Sequence, residues 1–339
     1  MTCKVSVIIP CRNEEKTIHL LLEALTDQNF SQSEIEVIIA DGMSTDQTRS
    51  VIQEFQAAHP EMNLQLVDNP KKIIPSALNA GILASSGEVI IRMDAHSIPN
   101  PDYITRCVQA LDAGIAENVG GVWDITPQNS SWIARAIAAA AAHPLAVGDA
   151  QYRYSSQAAY VDTVPFGAFK RELTDKIGFF DETLLTNEDY EFNTRIRQSG
   201  GRIWLDPQIR SVYYARKNLK ELAQQYWRYG FWKAHMLRRY PETLRFRQAL
   251  PPLFVLSLVL LPLLGLLYRL FWALFLAELM LYGIVLLSVG IQLAIKNKDF
   301  LLVPGVPLAI ATMHLSWGAS FMVGLFSRSK PKKYQECRE

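Results

Sequence analysis

Cysteine is scarce in this sequence. Its 339 residues include only Cys3, Cys11, Cys107 and Cys337, none with C-x-x-C spacing. The spacing excludes a zinc ribbon or a dithiol redox site, and the scatter predicts no disulfide framework. A reducing environment for the front of the chain is the simplest consequence. Excess charge is missing too. Lys and Arg number 34 against 33 Asp and Glu, a formal charge of +1, so no global basic field marks a nucleic-acid binder. The opening apolar stretch is too short for a secretory signal and runs straight into charged residues. No internal repeat occurs. Low complexity is confined to the alanine-rich run from Ala134 to Ala142, which is too short to span a bilayer and is expected as a helix packed on the domain.

Hydrophobic residues make up an ordinary 49% of the chain, unevenly spread. Acids concentrate before residue 245, whereas residues 249–326 carry few charges. Three stretches there, Leu250–Leu267, Leu270–Ala294 and Phe300–Phe326, approach the roughly 20 apolar residues that cross ~30 Å of hydrocarbon. Glu278, inside the second, is expected to be a structural hydrogen-bond partner. Arg238, Arg239, Arg245 and Arg247 precede the first stretch, and Arg328, Lys330, Lys332 and Lys333 follow the last. Both clusters favour the cytoplasm, and three full crossings would separate them. The third stretch, broken by Pro304, Gly305 and Pro307 and carrying His314, is therefore expected to be re-entrant or interfacial.

The front of the chain alternates strand and helix. Apolar runs at Lys4–Ile9, Ile35–Ala40, Leu64–Val67 and Glu88–Met93 read as buried parallel strands. Helices are expected after Asn13, as N-cap with acids in the first turn, and at Gln47–His59 and Ala77–Ala84. Such alternation predicts a mostly parallel sheet covered on both faces, with ligands beyond the carboxyl ends of the strands. Arg12, Asp41 and Asp94 all fall there.

Asp41 opens the turn Gly42-Met43-Ser44-Thr45-Asp46 and can accept from a base or ribose, although a turn aspartate is the plainer reading. In Asp94-Ala95-His96 an acid and an imidazole two positions apart can reach one divalent ion. Glu188 and Asp189 open a helix that continues through Phe192 and Ile196. They are either dipole-stabilising acids or, for Asp189, a general base. Gly167-Ala168-Phe169 after Pro165 offers close backbone approach and an acceptor-side wall. The stretch Leu219–Arg239 mixes Tyr226, Trp227, Tyr229 and Trp232 with Lys220, Lys233, Arg238 and Arg239, as a helix in a membrane interface would. Gln225 and Arg228 share one of its faces.

In order, Val5-Ser6-Val7-Ile8-Ile9-Pro10-Cys11-Arg12-Asn13-Glu14, the Asp41 turn, Asp94-Ala95-His96, Glu188-Asp189 and Gln225-x-x-Arg228-Tyr229 resemble family 2 glycosyltransferases. These are inverting enzymes of GT-A fold, and within the family the Asp-Ala-His-Ser form and the trailing apolar spans resemble the succinoglycan-type glucosyltransferases of bacterial exopolysaccharide synthesis. The resemblance implies an α/β, Rossmann-like GT-A domain over 1–216, an amphipathic interfacial region over 217–248, and a transmembrane segment with a basic tail over 249–339. Pro10, Arg12 and Glu14 would line the nucleotide pocket, and Asp41 would hold uracil or ribose. Asp94 and His96 would meet the diphosphate and a divalent metal, Mg2+ or Mn2+. Asp189 would be the base, with Glu188 beside it, and Gln225 and Arg228 would help hold diphosphate and acceptor. Two positions depart from the family pattern: His96 replaces the second acid of D-x-D, and Tyr229 replaces the Trp of Q-x-x-R-W. The implied partners are a UDP-sugar donor, a lipid-linked saccharide of polyprenyl diphosphate type and the membrane, without nucleic acid. The implied location is the bacterial inner membrane, multi-pass, with the catalytic domain cytoplasmic. Transfer to polyprenyl phosphate itself is the competing reading within the class, and a non-catalytic nucleotide-sugar-binding membrane protein the competitor outside it.

Overall fold

The computed structural model describes residues 4–327, so Cys3, Cys337 and the basic cluster from Arg328 onward lie outside the described residues. The chain divides into two compact units, Met1–Arg216 and Lys217–Glu339.

The first unit runs β1 (Val5–Cys11), α1 (Ile18–Thr26), β2 (Ile35–Asp41), α2 (Thr48–Ala58), β3 (Asn63–Asp68), α3 (Ile74–Ala84), β4 (Val89–Arg92), β5 (Ile98–Pro99) and α4 (Tyr103–Asp112). It continues with β6 (Asn118–Pro127), α5 (Trp132–Ala141), α6 (Pro144–Val147), β7 (Ala159–Tyr160), β8 (Ala168–Lys170), α7 (Glu172–Ile177), α8 (Glu188–Gln198) and β9 (Ile203–Ala215). One sheet takes the order β3-β2-β1-β4-β8-β6-β9-β5, with β7 also on β9. The pairs β3-β2, β2-β1 and β1-β4 are parallel, and β8 enters antiparallel beside β4.

The two-residue period of β1 explains why this sheet is covered on both faces. Val5, Val7 and Ile9 pack with Leu21 and Leu22 of α1 and Ile104 of α4. Ile8 points the other way, to Leu78 and Ile82 of α3 and Phe192 of α8. At the amino end of the sheet Glu36 is buried, its carboxylate accepting from Ser6 Oγ at 2.6 Å and from the Gly87 N–H at 2.8 Å. Burial alone would raise its pKa. The bonds from Ser6, Ser86 and Gly87 outweigh that and hold it below the ordinary glutamate value. A depressed folded-state pKa contributes stability above the unfolded value of about 4.3, lost as pH falls through the folded one. Glu36→Gln is accordingly expected to cost about 1–3 kcal/mol at neutral pH. It should also flatten the acid limb of the melting-temperature profile, measured by thermal denaturation across pH.

One expectation fails at the first loop. Asn13 does not cap α1, which starts at Ile18 with Thr17 at its N-cap and no acid in its first turn. Asn13 adopts left-handed backbone (φ 55°) because it is tied to the neighbouring loop. Its N–H donates to Ser44 Oγ and its Oδ1 accepts from the Thr45 N–H, both at 2.9 Å.

The second unit holds α9 (Leu219–Leu237), α10 (Phe246–Gly265), α11 (Arg269–Asn297) and α12 (Leu302–Phe326). The last three are long and apolar enough to cross a membrane. Pro304, Gly305 and Pro307 do not break α12, contrary to expectation. Pro304 lies in the first turn, where an N–H has no intrahelical partner. Pro307 deprives the Val303 carbonyl of its i+4 donor, and α11 packs there through Gly290, where an added Cβ would sit 2.6 Å from that oxygen. Glu278 accepts from Ser257 Oγ of α10 at 2.7 Å, as expected of a structural partner. Along the aromatic and basic stretch of α9, Trp227 and Tyr229 are part-exposed, whereas two residues turn inward. Trp232 and Lys233 are buried, and the lysine donates to the Thr243 carbonyl at 3.0 Å. Small residues explain this, since Gly230 of α9 meets Ser320 and Gly324 of α12 meets Ala234. Arg238 caps α12, donating to the carbonyls of Gly324, Leu325 and Ser327.

Candidate active site

Parallel strands β2, β1 and β4 end side by side, and their carboxyl ends deliver the chemistry. Cys11 pairs with Asp41, and Ile8 with Arg92. The loops beyond them interlock through the Asn13–Ser44 and Asn13–Thr45 bonds and through the Glu14 N–H, which donates to Thr48 Oγ1 at 2.7 Å. Asp41 is fully buried; its carboxylate accepts from the Ser44 N–H and hydroxyl and faces Arg49 Nε at 3.5 Å. Pro10 is the penultimate residue of β1, and the Arg12 side chain lies over Gly42, 3.1 Å from where a Cβ would stand. Cys11 and Cys107 are buried thiols. Burial, with nearby acids, pushes both thiol pKa values up.

The centre of the site is a residue the sequence reading did not single out. Arg92, the last residue of β4 and 4% exposed, engages three carboxylates. Its Nη2 donates to Asp94 Oδ1 at 2.9 Å and to Glu188 Oε1 at 3.1 Å, while Nη1 pairs with Asp189 Oδ2. Asp94 and Asp189, 95 positions apart in sequence, thus meet on one guanidinium. Side-chain exposure grades from 9% at Glu188 to 24% at Asp94 and 25% at Asp189. Glu188 is the anchored acid, and the other two face outward.

The entry to α8 is set by Asn187, in left-handed backbone at φ 69°. Asn13, Met43 and Phe166 are likewise non-glycine residues with positive φ. All four lie in loops that begin or border the site, where backbone strain commonly gathers. Gly167 does give close backbone approach, but to the Asn118 side chain. Ala168 and Phe169 are core residues, so they form no acceptor wall.

His96 faces Glu14, Nδ1 to Oε1 3.4 Å. Burial by itself would lower the imidazole pKa; the hydrogen bond to Glu14 and the charges of Asp94 and Glu14 outweigh it and raise it. Among the described residues no three His, Cys, Asp or Glu side chains converge as a metal cage. The donor chemistry nevertheless fits a divalent ion that shares its shell with a ligand. Three carboxylates around one guanidinium leave negative charge in excess, and an imidazole held through Nδ1 by a carboxylate keeps Nε2 for a metal. Gln225 and Arg228 belong to the second unit, on one turn of α9, where the Gln225 amide donates to the Tyr229 hydroxyl at 2.9 Å.

A largely parallel half-sheet continued by antiparallel strands, with acids converging beyond the strand ends, is the architecture of a GT-A-type α/β domain. The family model of glycosyl transferase family 2 matches residues 6–178, and the chain belongs to that family. It is 31% identical over 242 residues, 69% of this chain and 74% of the other, to the dolichyl N-acetyl-alpha-D-glucosaminyl phosphate 3-beta-D-2,3-diacetamido-2,3-dideoxy-beta-D-glucuronosyltransferase of Methanococcus voltae. Succinoglycan biosynthesis protein ExoA of Rhizobium meliloti is 29% identical over 320 residues, 93% of each chain. Among solved structures, the mannosyltransferase PcManGT from Pyrobaculum calidifontis, in complex with GDP-Man and Mn2+, superposes with a TM-score of 0.61. The alignment covers 97% of this chain and 89% of that one at 20% identity, a likeness of fold. The protein is a glycosyltransferase.

Proposed function

We propose that the enzyme moves a hexose, glucose on the strength of the succinoglycan likeness, from a UDP-sugar to a saccharide carried on polyprenyl diphosphate. The reaction runs at the cytoplasmic face of a bacterial inner membrane, with α10, α11 and α12 as the multi-pass anchor. The observation that carries this reading is the meeting of Asp94 and Asp189 on Arg92. A donor-side acid and an acceptor-side acid beside one another are what a single in-line displacement needs. The Methanococcus relative, whose name specifies a dolichyl-phosphate-linked sugar as acceptor, supports a lipid-linked saccharide.

Pro10, Arg12, Glu14 and Asp41 hold the nucleotide. Asp94 and His96 would hold a divalent ion, Mg2+ or Mn2+, which when bound would neutralise charge developing on a departing diphosphate. Gln225 and Arg228 are assigned on their motif to the diphosphate and acceptor. Asp189, through the oxygen that Arg92 does not engage, takes the proton of the acceptor hydroxyl. The hydroxyl oxygen bonds to the anomeric carbon from the face opposite the nucleotide. The bond from that carbon to the diphosphate oxygen breaks, its electron pair leaves with the nucleotide, and an α-linked donor gives a β-linked product.

The test is nucleotide release by the purified full chain with a UDP-sugar panel, offered either a polyprenyl-diphosphate saccharide or polyprenyl phosphate. Turnover with the first supports the reading. Turnover with the second alone assigns lipid-linked monosaccharide synthesis instead, and donor binding without turnover on either makes the protein a non-catalytic binder. Exhaustive chelation is expected to lower turnover about tenfold or more, with Mg2+ or Mn2+ restoring it. Full activity after chelation would remove the ion from Asp94 and His96.

A further inference from the structure

A small cavity adjoins the catalytic acids. It measures about 10 Å³, and its polar walls are Arg92 at the end of β4, Asn118 at the start of β6, and Asp189 and Asn193 of α8, with Gly167 beside them. Asp189 and Asn193 are four residues apart and share a face of that helix. The volume is of the order that holds a single water, and convergent polar groups are what such a water needs.

Two buried polar atoms of these residues have no hydrogen-bond partner, Arg92 Nε and Asn118 Oδ1. One donates and the other accepts, so a single water can serve both. The orientation of Asn118 follows from its neighbours. The Val164 carbonyl can only accept, so the end of Asn193 that meets it at 3.3 Å, and Thr163 Oγ1 at 3.0 Å, is the amide nitrogen. Asn193 Oδ1 then faces Asn118 and accepts from its Nδ2 at 2.6 Å. The Asn118 atom left unpaired is therefore the oxygen. Gly167 makes room for that amide, since a Cβ there would stand 2.4 Å from Asn118 Oδ1. On Arg92, Nη1 and Nη2 are already committed to the three carboxylates. Its Nε–H is the edge that remains.

We propose that the cavity is the site of one ordered water, and that Asn118 acts through it as a positioning residue for the transfer. The water accepts from the Arg92 Nε–H and donates to Asn118 Oδ1. Its second hydrogen is left for the Asp189 carboxylate, which lines the same space. A buried donor and a buried acceptor rarely stay unpaired, and here one molecule satisfies both. Arg92 is thereby held on each edge, by carboxylates at Nη1 and Nη2 and by the water at Nε. Because a guanidinium is planar, fixing Nε along with the fork sets the direction in which Asp189 is presented to the acceptor. The consequence for catalysis rests on the reading of Asp189 as the proton acceptor, whereas the water site does not.

The test joins a crystal structure of the full chain, fine enough to show ordered water, to the kinetics of Asn118→Leu and Asn118→Ala. A water is expected within about 2.7–3.2 Å of both Arg92 Nε and Asn118 Oδ1. It should be gone in Asn118→Leu, whose side chain keeps the volume but offers no acceptor. In that variant kcat is expected to fall about tenfold or more while KM for the UDP-sugar stays unchanged. Asn118→Ala makes room for a further water in place of the amide, so it should keep more of kcat than the leucine variant. A packing role predicts the reverse order, because alanine opens the larger void. A dry cavity in the unchanged chain, or a leucine variant at least as active as the alanine one, would overturn the inference. A water at both atoms in a chain whose Asp189→Asn variant keeps full kcat would retain the site and remove Asp189 as the base, so the two failures are distinguishable.

Discussion

Asp189→Asn is expected to lower kcat by about 10²–10⁴, the usual contribution of a positioned general base, while the dissociation constant for the nucleotide-sugar stays as it was. Asparagine keeps the shape of the side chain and can still accept one hydrogen bond from Arg92, but it cannot take the acceptor's proton. The donor site proposed from Pro10, Arg12, Glu14 and Asp41 has no reason to notice the change. Stopped-assay turnover combined with isothermal titration of UDP-sugar separates the two effects. The neighbouring acid supplies the contrast. Glu188 is the more buried of the pair, bonded to Arg92 through Oε1, so Glu188→Gln should act chiefly on stability. If Asp189→Asn keeps full kcat while Glu188→Gln loses it, the two roles are reversed.

The second large effect belongs to Arg92→Met. Removing one partner of a buried ion pair leaves an uncompensated charge, at a cost of about 3–5 kcal/mol. Here one guanidinium serves three carboxylates, and its own side chain is 5% exposed. Asp94 and Asp189 are each about a quarter exposed, so water takes up part of their charge and the lower end of that range applies. Activity should suffer as well as stability. Without the fork, Asp94 and Asp189 repel one another and lose their common anchor, and kcat is expected to fall about a hundredfold or more. Arg92→Lys should not rescue it, because an ammonium is a point charge that cannot address three carboxylates in fixed directions. Thermal unfolding and steady-state kinetics on both variants check the pair of expectations. A fully active Arg92→Lys would show that charge alone suffices.

Much of this arrangement is legible in the residues, for physical reasons. Buried parallel strands such as Val-Ile-Ile-Ala at Val37–Ala40 leave little choice of secondary structure, and the acids at Asp41, Asp94 and Glu188-Asp189 stand out as charges at the ends of apolar runs. The convergence of Asp94 with Asp189 depends on β8 entering antiparallel beside β4, which nothing local announces. Arg92 was missed because it looks like the polar end of a strand. A signal was present, since a charge closing Val89-Ile90-Ile91 within a sheet core must find partners, and the acids available to it were already in view. Asn13 misled because its amide has two uses, and the choice between a cap and a loop-to-loop bond is made by Ser44 and Thr45, 31 and 32 residues on. The third apolar stretch misled for a related reason. Pro307 breaks a helix that stands alone, but here α12 continues through it packed against α11, whose Gly290 lies close to the freed carbonyl. That Trp232 and Lys233 of α9 are buried could not be read from composition, because the small residues of the partner helix that receive them lie far along the chain.

What decides the account is where a bound donor puts its anomeric carbon. A crystal structure of the full chain with a non-transferable UDP-sugar analogue and Mn2+ answers this directly. The account predicts the diphosphate and the ion at Asp94 and His96, with the sugar lying between them and Asp189 and its reacting face toward that carboxylate. A sugar bound on the far side of the sheet, or turned so that its anomeric carbon points away from Asp189, would contradict it.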